Sequence, residues 1–232
     1  MLTAAETGRT LVRLYQWSEP SVSFGRNQSV RSTYDVERCA ALGVPAVRRL
    51  TGGRALLHWR EVTYAVAAPN RAASTLRSGY EAINDVLLSA LGSLGIDARR
   101  ATPTSRAIAP GLAPCFETPS AGELVVDGRK LVGSAQHRGA VAFLQHGSIL
   151  LDNDQALLQD LALVPLPSVP APATLRSLRA DVDAAMLMAA IAGTLRGVAG
   201  GDIVVSSDAD LPSHHVEAAA TRYRDPRWTW RR

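Results

Sequence analysis

The chain has 232 residues, 47% hydrophobic and 20% charged, with a formal net charge of +4. That is the balance of a globular protein with enough apolar residues for a sizeable core. No apolar run approaches the ~18 residues of a membrane span. The basic residues are dispersed, which argues against nucleic acid as a partner.

The first residues lack the basic and apolar parts of a signal peptide, so a cytoplasmic protein is expected. Two cysteines, Cys39 and Cys115, are too few for a disulfide framework, and no metal-ligand spacing occurs. No metal and no cofactor is expected. The positive balance suits an acidic protein partner through steering.

In chain order, Leu11–Trp17 and Ser21–Phe24 read as short strands parted by Glu19-Pro20. Asp35–Leu42 reads as a helix ended by Gly43, and Val44–Leu50 as a strand. Thr51-Gly52-Gly53 breaks that strand, and Ala55–Ala67 resumes it with Val62, Tyr64 and Val66 alternating. Tyr80, Ile83, Leu87, Leu91 and Leu94 fall at helical spacing before Gly95. Ala101–Pro114 is a Pro- and Gly-rich loop. Glu123–Val126, Asp127-Gly128 and Leu131 onward make a hairpin, because Asp-Gly favours a tight primed turn. Val141–Leu151 is a further strand, and Pro165–Pro172 a linker. The tail reads as helices over Ala180–Val198 and His215–Tyr223, around a strand at Ile203–Ser206. The order predicts a mixed α+β fold with an antiparallel-rich sheet and flanking helices, not a doubly wound parallel sheet.

Three stretches can carry chemistry. In Arg48–Val66, Gly52-Gly53 is either a plain turn or a place where backbone approaches a ligand. Arg48 and Arg49 could hold a carboxylate or phosphate there, and Thr51 adds a hydroxyl. No P-loop and no G-x-S-x-G occurs. In Ala113–Arg138, Cys115 follows a proline in a loop; such a thiol is either a bystander or, beside a cation, a nucleophilic thiolate. Cys39, in a helical stretch, reads as inert. Lys130 is the only lysine among 25 basic residues. It is either an accident of an Arg-rich composition or an amine that arginine cannot replace. In Leu144–Asp152, His146 is either a satisfied core histidine or a catalytic one. His214-His215 reads as a solvated pair.

Together the blocks RRLTGG…H…TY, CFETPS…ELVVDGRKLVGSAQHR and LQHGSILLD resemble the lipoate/biotin protein ligase catalytic fold, and within it the cysteine-dependent octanoyltransferase branch. The C-terminal YRDPRWTWRR resembles the end of that domain. The likeness runs from about Leu11 to Arg232. It implies one catalytic domain over 1–232, with its first helix cut short and no accessory domain, working as a monomer. It also implies that Cys115 takes an octanoyl group from octanoyl-acyl carrier protein as a thioester and passes it to a lysine of a lipoyl domain. The acceptor would be the glycine-cleavage H protein or a 2-oxoacid dehydrogenase E2. Lys130 lowers the Cys115 pKa in this scheme. Arg49, Thr51, Gly52, Gly53, His58, Gly133, Ser134, Ala135 and His146 are the expected acyl- and substrate-binding residues, with backbone N–H groups near Gly52-Gly53 or Gly133-Ser134 facing the oxyanion. Leu56, Val132 and Phe143 are expected to line the acyl slot.

The sequence departs from the family pattern in having His58-Trp59 where His-Asp is usual, which removes an acidic partner for His58. Ala121-Gly122 stands where bulky aromatics are common. Three rival readings remain: an ATP-dependent lipoate–protein ligase, a lipoyl or octanoyl amidotransferase, and a degenerate module that binds lipoyl domains without turnover.

Overall fold

The computed structural model describes residues 1–73, 75–102, 122–168, 170–207 and 213–231, with backbone alone at 213–215. A six-stranded sheet runs in the order β1 (Leu11–Tyr15), β5 (Glu61–Pro69), β9 (Ala142–Leu150), β8 (Arg129–Arg138), β7 (Leu124–Val126) and β6 (Arg99–Arg100). Its strand pairs are antiparallel. A three-stranded sheet orders β3 (Ala46–Arg48), β2 (Ser21–Phe24) and β4 (Leu56–His58), with β2 parallel to β3 and antiparallel to β4. The helices are α1 (Leu2–Glu6), α2 (Val36–Ala41), α3 (Leu76–Ser93), α4 (Leu157–Asp160), α5 (Leu175–Leu178), α6 (Ala184–Val198), α7 (Ser213–Arg224) and α8 (Pro226–Thr229). This is the expected mixed α+β arrangement.

Helix α3 starts four residues before the first apolar residue of its predicted stripe. A capping box sets the start: Thr75 Oγ1 accepts from Ser78 N, and Ser78 Oγ from Thr75 N. Its Leu87 and Leu91 meet Leu187 and Ile191 of α6 over Val62, Tyr64, Val132 and Ile149 of the large sheet, which makes the main core. Asp183 caps α6 through Met186 N, so the helix begins later than Ala180. A second core joins Val22, Phe24 and Leu57 of the small sheet to Tyr34, Leu158 and Trp230. The Asp127-Gly128 turn has φ of 49° and 73°, the left-handed pair that a primed hairpin needs.

Two expected elements are corrected. The strand at Ile203–Ser206 is absent: its backbone is irregular, and Val204 and Val205 are 76% and 80% exposed. Branched side chains favour a strand only where a pleated surface packs against something. The single strand over Ala55–Ala67 is two. It breaks at Trp59-Arg60, where Glu61 N donates to Trp59 O at 2.9 Å and Arg60 pairs with Asp152 and Asp154. The break puts β4 in the small sheet and β5 in the large one, so this turn joins the two layers. Among the described residues, no helix is long and apolar enough to cross a membrane.

Candidate active site

The loop after β3 is held from both sides. A Cβ on Gly25 would stand 1.9 Å from Gly53 O, so only glycine lets the end of β2 touch this loop. Gly53 itself has φ of +96°. Arg49 folds back over the loop: its Nη2 donates to Gly52 O and Arg54 O at 3.0 and 2.7 Å, and its Nη1 to Ser23 O at 2.9 Å. Arg49 thus carries its charge to the site while bracing the loop. Arg48 does not reach the site, which corrects the expectation that both arginines could hold an anion. Strand alternation turns Arg48 away. It is fully buried, donating to Gly25 O, Gln28 O, Thr229 O and Arg231 O at 2.7 to 2.9 Å.

Between the two sheets lies a cavity of ≈ 680 Å³, within the usual range for small-molecule sites. Arg49, Thr51, Gly52, Gly53, His58, Lys130, Gly133, Ser134, Ala135 and His146 all line it. Cys115 lies outside the described residues, as do its Pro119-Ser120 neighbours and Ala121. The chain departs beside Ala101 and rejoins at Gly122. There Ala101 N donates to Glu123 O at 2.7 Å and Gly122 N to Ala101 O at 3.1 Å. Glu123 is itself on the cavity wall.

Of the residues expected to form an acyl slot, Leu56 lines the cavity but Val132 and Phe143 do not. Val132 is in the main core, and Phe143 packs under Gly79 of α3. Both point to the helix-covered face of the large sheet. Leu144, the neighbour of Phe143, supplies the apolar wall instead, with Val47, Leu50 and Leu56. A register shift between Leu124 and Val125 sets Lys130, rather than Leu131, on the cavity side.

Lys130 Nζ donates to Glu123 Oε1 at 2.7 Å across the hairpin. Thr51 Oγ1 and His146 Nε2 lie 2.6 Å apart. Burial, then the neighbouring Arg49 and the His58 ring, push His146 down to about 3, so its ring is neutral at pH 7. Ser134 Oγ meets Tyr64 OH at 2.6 Å, and Gln145 Nε2 donates to the same phenol at 2.9 Å.

His58 has an acidic partner after all. Its Nδ1 is 2.7 Å from Glu61 Oε1, three residues on, and its Nε2 is 2.7 Å from Ser23 Oγ. Trp17 stacks on the ring at 4.3 Å between centroids. The turn at Trp59-Arg60 brings Glu61 back beside His58, so Trp59 costs the site nothing in charge. Sequence reasoning missed Ser23, Glu61 and Glu123. The signal for Glu123 was present, seven residues before the sole lysine on the facing arm of a hairpin. Cys39 is buried, and burial, then Asp35, pushes its thiol up to about 11, consistent with an inert cysteine.

Curated relatives share this sequence closely. The chain is 46% identical over 165 residues to an octanoyltransferase LipM from Kyrpidia tusciae, and 38% over 163 residues to octanoyltransferase LipM of Bacillus subtilis. These matches cover 68% and 67% of this chain, and 59% of each relative, so the chain spans about three-fifths of the relatives it matches. Among solved structures, a lipoate-protein ligase A bound with ATP superposes with a TM-score of 0.74 at 19% identity, over 97% of this chain and 87% of the other. A bipartite lipoate protein ligase from Thermoplasma acidophilum, studied with its E2 lipoyl domain, gives 0.72 at 18%, over 96% and 84%. At such identities these structures speak for the fold. The model of the lipoyl protein ligase A/B catalytic domain matches residues 2–191, and this chain belongs to that family.

Proposed function

We infer that the protein is an octanoyltransferase of lipoate assembly, working by a covalent relay. It takes an octanoyl group from octanoyl-acyl carrier protein onto Cys115. It then delivers the group to a lysine of a lipoyl domain, such as the glycine-cleavage H protein or an E2 subunit. The name shared by relatives at 38–46% identity supports the activity. The observation that carries the mechanism is the position of the chain's one lysine, buried on the cavity beside the point where the Cys115 segment rejoins.

Lys130 Nζ stands on the cavity wall with Glu123 Oε1 as one acceptor. An ammonium so placed favours a thiolate nearby, which attacks the thioester carbonyl carbon and expels the carrier thiol. Backbone N–H groups at Gly52-Gly53 or Gly133-Ser134 face the oxyanion, and Val47, Leu50, Leu56 and Leu144 hold the alkyl tail. A net charge of +4 favours acidic protein partners.

The test is intact mass after mixing the protein with octanoyl-acyl carrier protein without ATP. An octanoyl adduct that hydroxylamine removes, absent from Cys115→Ser, supports the reading. Modification of a lipoyl domain that needs free acid and ATP, and survives Cys115→Ser, replaces it with a ligase.

A further inference from the structure

Ser23, His58 and Glu61 form one hydrogen-bonded line from the cavity wall into the junction of the sheets, with both links at 2.7 Å. Valence gives the proton positions. Arg49 Nη1 donates to Ser23 Oγ at 3.0 Å, and a guanidinium accepts nothing. In the neutral ring whose Nδ1 hydrogen goes to Glu61, Nε2 is an acceptor, so Ser23 gives it its own hydrogen and keeps one acceptor lone pair. Glu61 Oε1 also accepts from Thr63 Oγ1 and Ser148 Oγ at 2.6 and 2.8 Å, so it receives the hydrogen of His58 Nδ1. Glu61 Oε2 is buried and has no hydrogen-bond partner among the described residues. A cation formed at His58 would meet a carboxylate already fixed in place. Trp17, stacked on the ring and tied by its Nε1 to Thr63 Oγ1 at 2.8 Å, sets the ring plane.

Ser23 is 3% exposed and braced by Arg49, which suits a proton conduit in the wall better than a nucleophile. Among the described residues, Glu61 on β5, Arg49 after β3, His146 on β9 and Tyr15 on β1 are charged or titratable groups around His58, and Arg54, Tyr80 and Tyr223 line the same cavity. Glu123 and Lys130 lie on the same cavity. His146 is held neutral by burial and is a weak base, so it does not compete.

We propose that Ser23, His58 and Glu61 form a proton relay for the second half of the transfer, drawing a proton from the ammonium of the primary amine that accepts the acyl group. This rests on the acyl-transfer reading above. One ammonium proton passes to Ser23 Oγ as the Ser23 hydrogen moves to His58 Nε2. The freed amine forms the C–N bond, the C–S bond of the Cys115 thioester breaks, and the second nitrogen proton goes to the leaving sulfur. The products are amide, thiol and an imidazolium against Glu61, which then loses its proton to solvent.

The experiment follows two rates in the full chain by quenched mass spectrometry. One is octanoyl loading from octanoyl-acyl carrier protein; the other is delivery to glycine-cleavage H protein. Glu61→Gln should slow delivery about 100-fold more than loading, the size of a general-base contribution. The deficit should shrink as pH rises toward about 10, where a lysine amine sheds its own proton. Ser23→Ala should behave the same way, and Ser23→Thr, which restores the hydroxyl, should recover most of the rate. Equal loss of loading and delivery at every pH, or undiminished delivery, would overturn the relay. If Glu61→Gln does not fold, the Ser23 pair decides by the same ratio. A wild-type protein that accepts no octanoyl group removes the transferase reading and the relay with it. A wild type that completes transfer while both variants keep pace removes the relay alone.

Discussion

Lys130 Nζ lies 2.7 Å from Glu123 Oε1, and only 1% and 7% of the two side chains reach solvent. Breaking one side of a buried pair leaves the other charge uncompensated, at about 3–5 kcal/mol. Glu123→Ala is therefore expected to lower unfolding free energy by about that amount in urea titrations. Lys130→Met with Glu123→Leu, which removes both charges, should sit within about 1 kcal/mol of wild type and transfer no acyl group. A double variant as unstable as the single one would show that the pair contributes more than charge balance.

Arg48 clasps the C-terminal end. Its guanidinium binds Thr229 O and Arg231 O, its own carbonyl accepts from Trp228 Nε1 at 2.7 Å, and Arg31 Nε holds Trp230 O at 2.6 Å. Arg48→Met orphans several buried carbonyls at once, each worth about 1–3 kcal/mol. We expect a large fall in melting temperature and a red-shifted tryptophan emission as α8 loosens. Arg48→Lys should rescue little, because three donors at a point cannot replace a planar fork.

His146 gives stability a sign in acid. Its folded pKa, about 3, lies below the ordinary histidine value of 6.5. Between those values the unfolded chain binds a proton that the folded chain refuses, so stability falls as pH drops through this window and is unaffected above it. One proton amounts to about 1.4 kcal/mol per pH unit. His146→Gln should flatten the acid limb of a stability–pH curve by about that slope. An identical slope in both proteins would show that His146 titrates normally.

Two glycines should respond in opposite directions. A Cβ on Gly147 would stand 2.3 Å from Gly133 O, a backbone atom of the neighbouring strand, and 2.7 Å from Tyr64 Cε1. Gly147→Ala should part β8 from β9, with loss of stability and of the cavity. Gly193 in α6 meets nothing within 4 Å, so Gly193→Ala should add up to about 1 kcal/mol through helix propensity alone. Thermal melts of the two variants check both.

Much of the fold was legible because its signals are local. The apolar stripe of α3, the Asp-Gly hairpin and the Ser21–Phe24 strand each follow from spacing within one segment. Ala55–Ala67 misled because alternation reports a pleat and not a partner strand. Nothing local says that the chain changes sheets at Trp59-Arg60, where Asp152 and Asp154, far along the chain, anchor the turn. Val132 and Phe143 misled for the same reason: apolar residues on either face of a strand look alike until the covering helices are known.

By itself, the sequence determined the family blocks, the single lysine, the mixed α+β class and the set of residues that meet around one cavity. Those rest on residue identity and short-range geometry, which the chain carries directly. The tertiary structure alone decided that Glu123 holds Lys130, that Glu61 stands behind His58, that Ser23 completes that line and that Arg48 serves the C-terminus. Each of these depends on which faces of separate strands are pressed together, a choice made by burial of the whole core and not by any one segment.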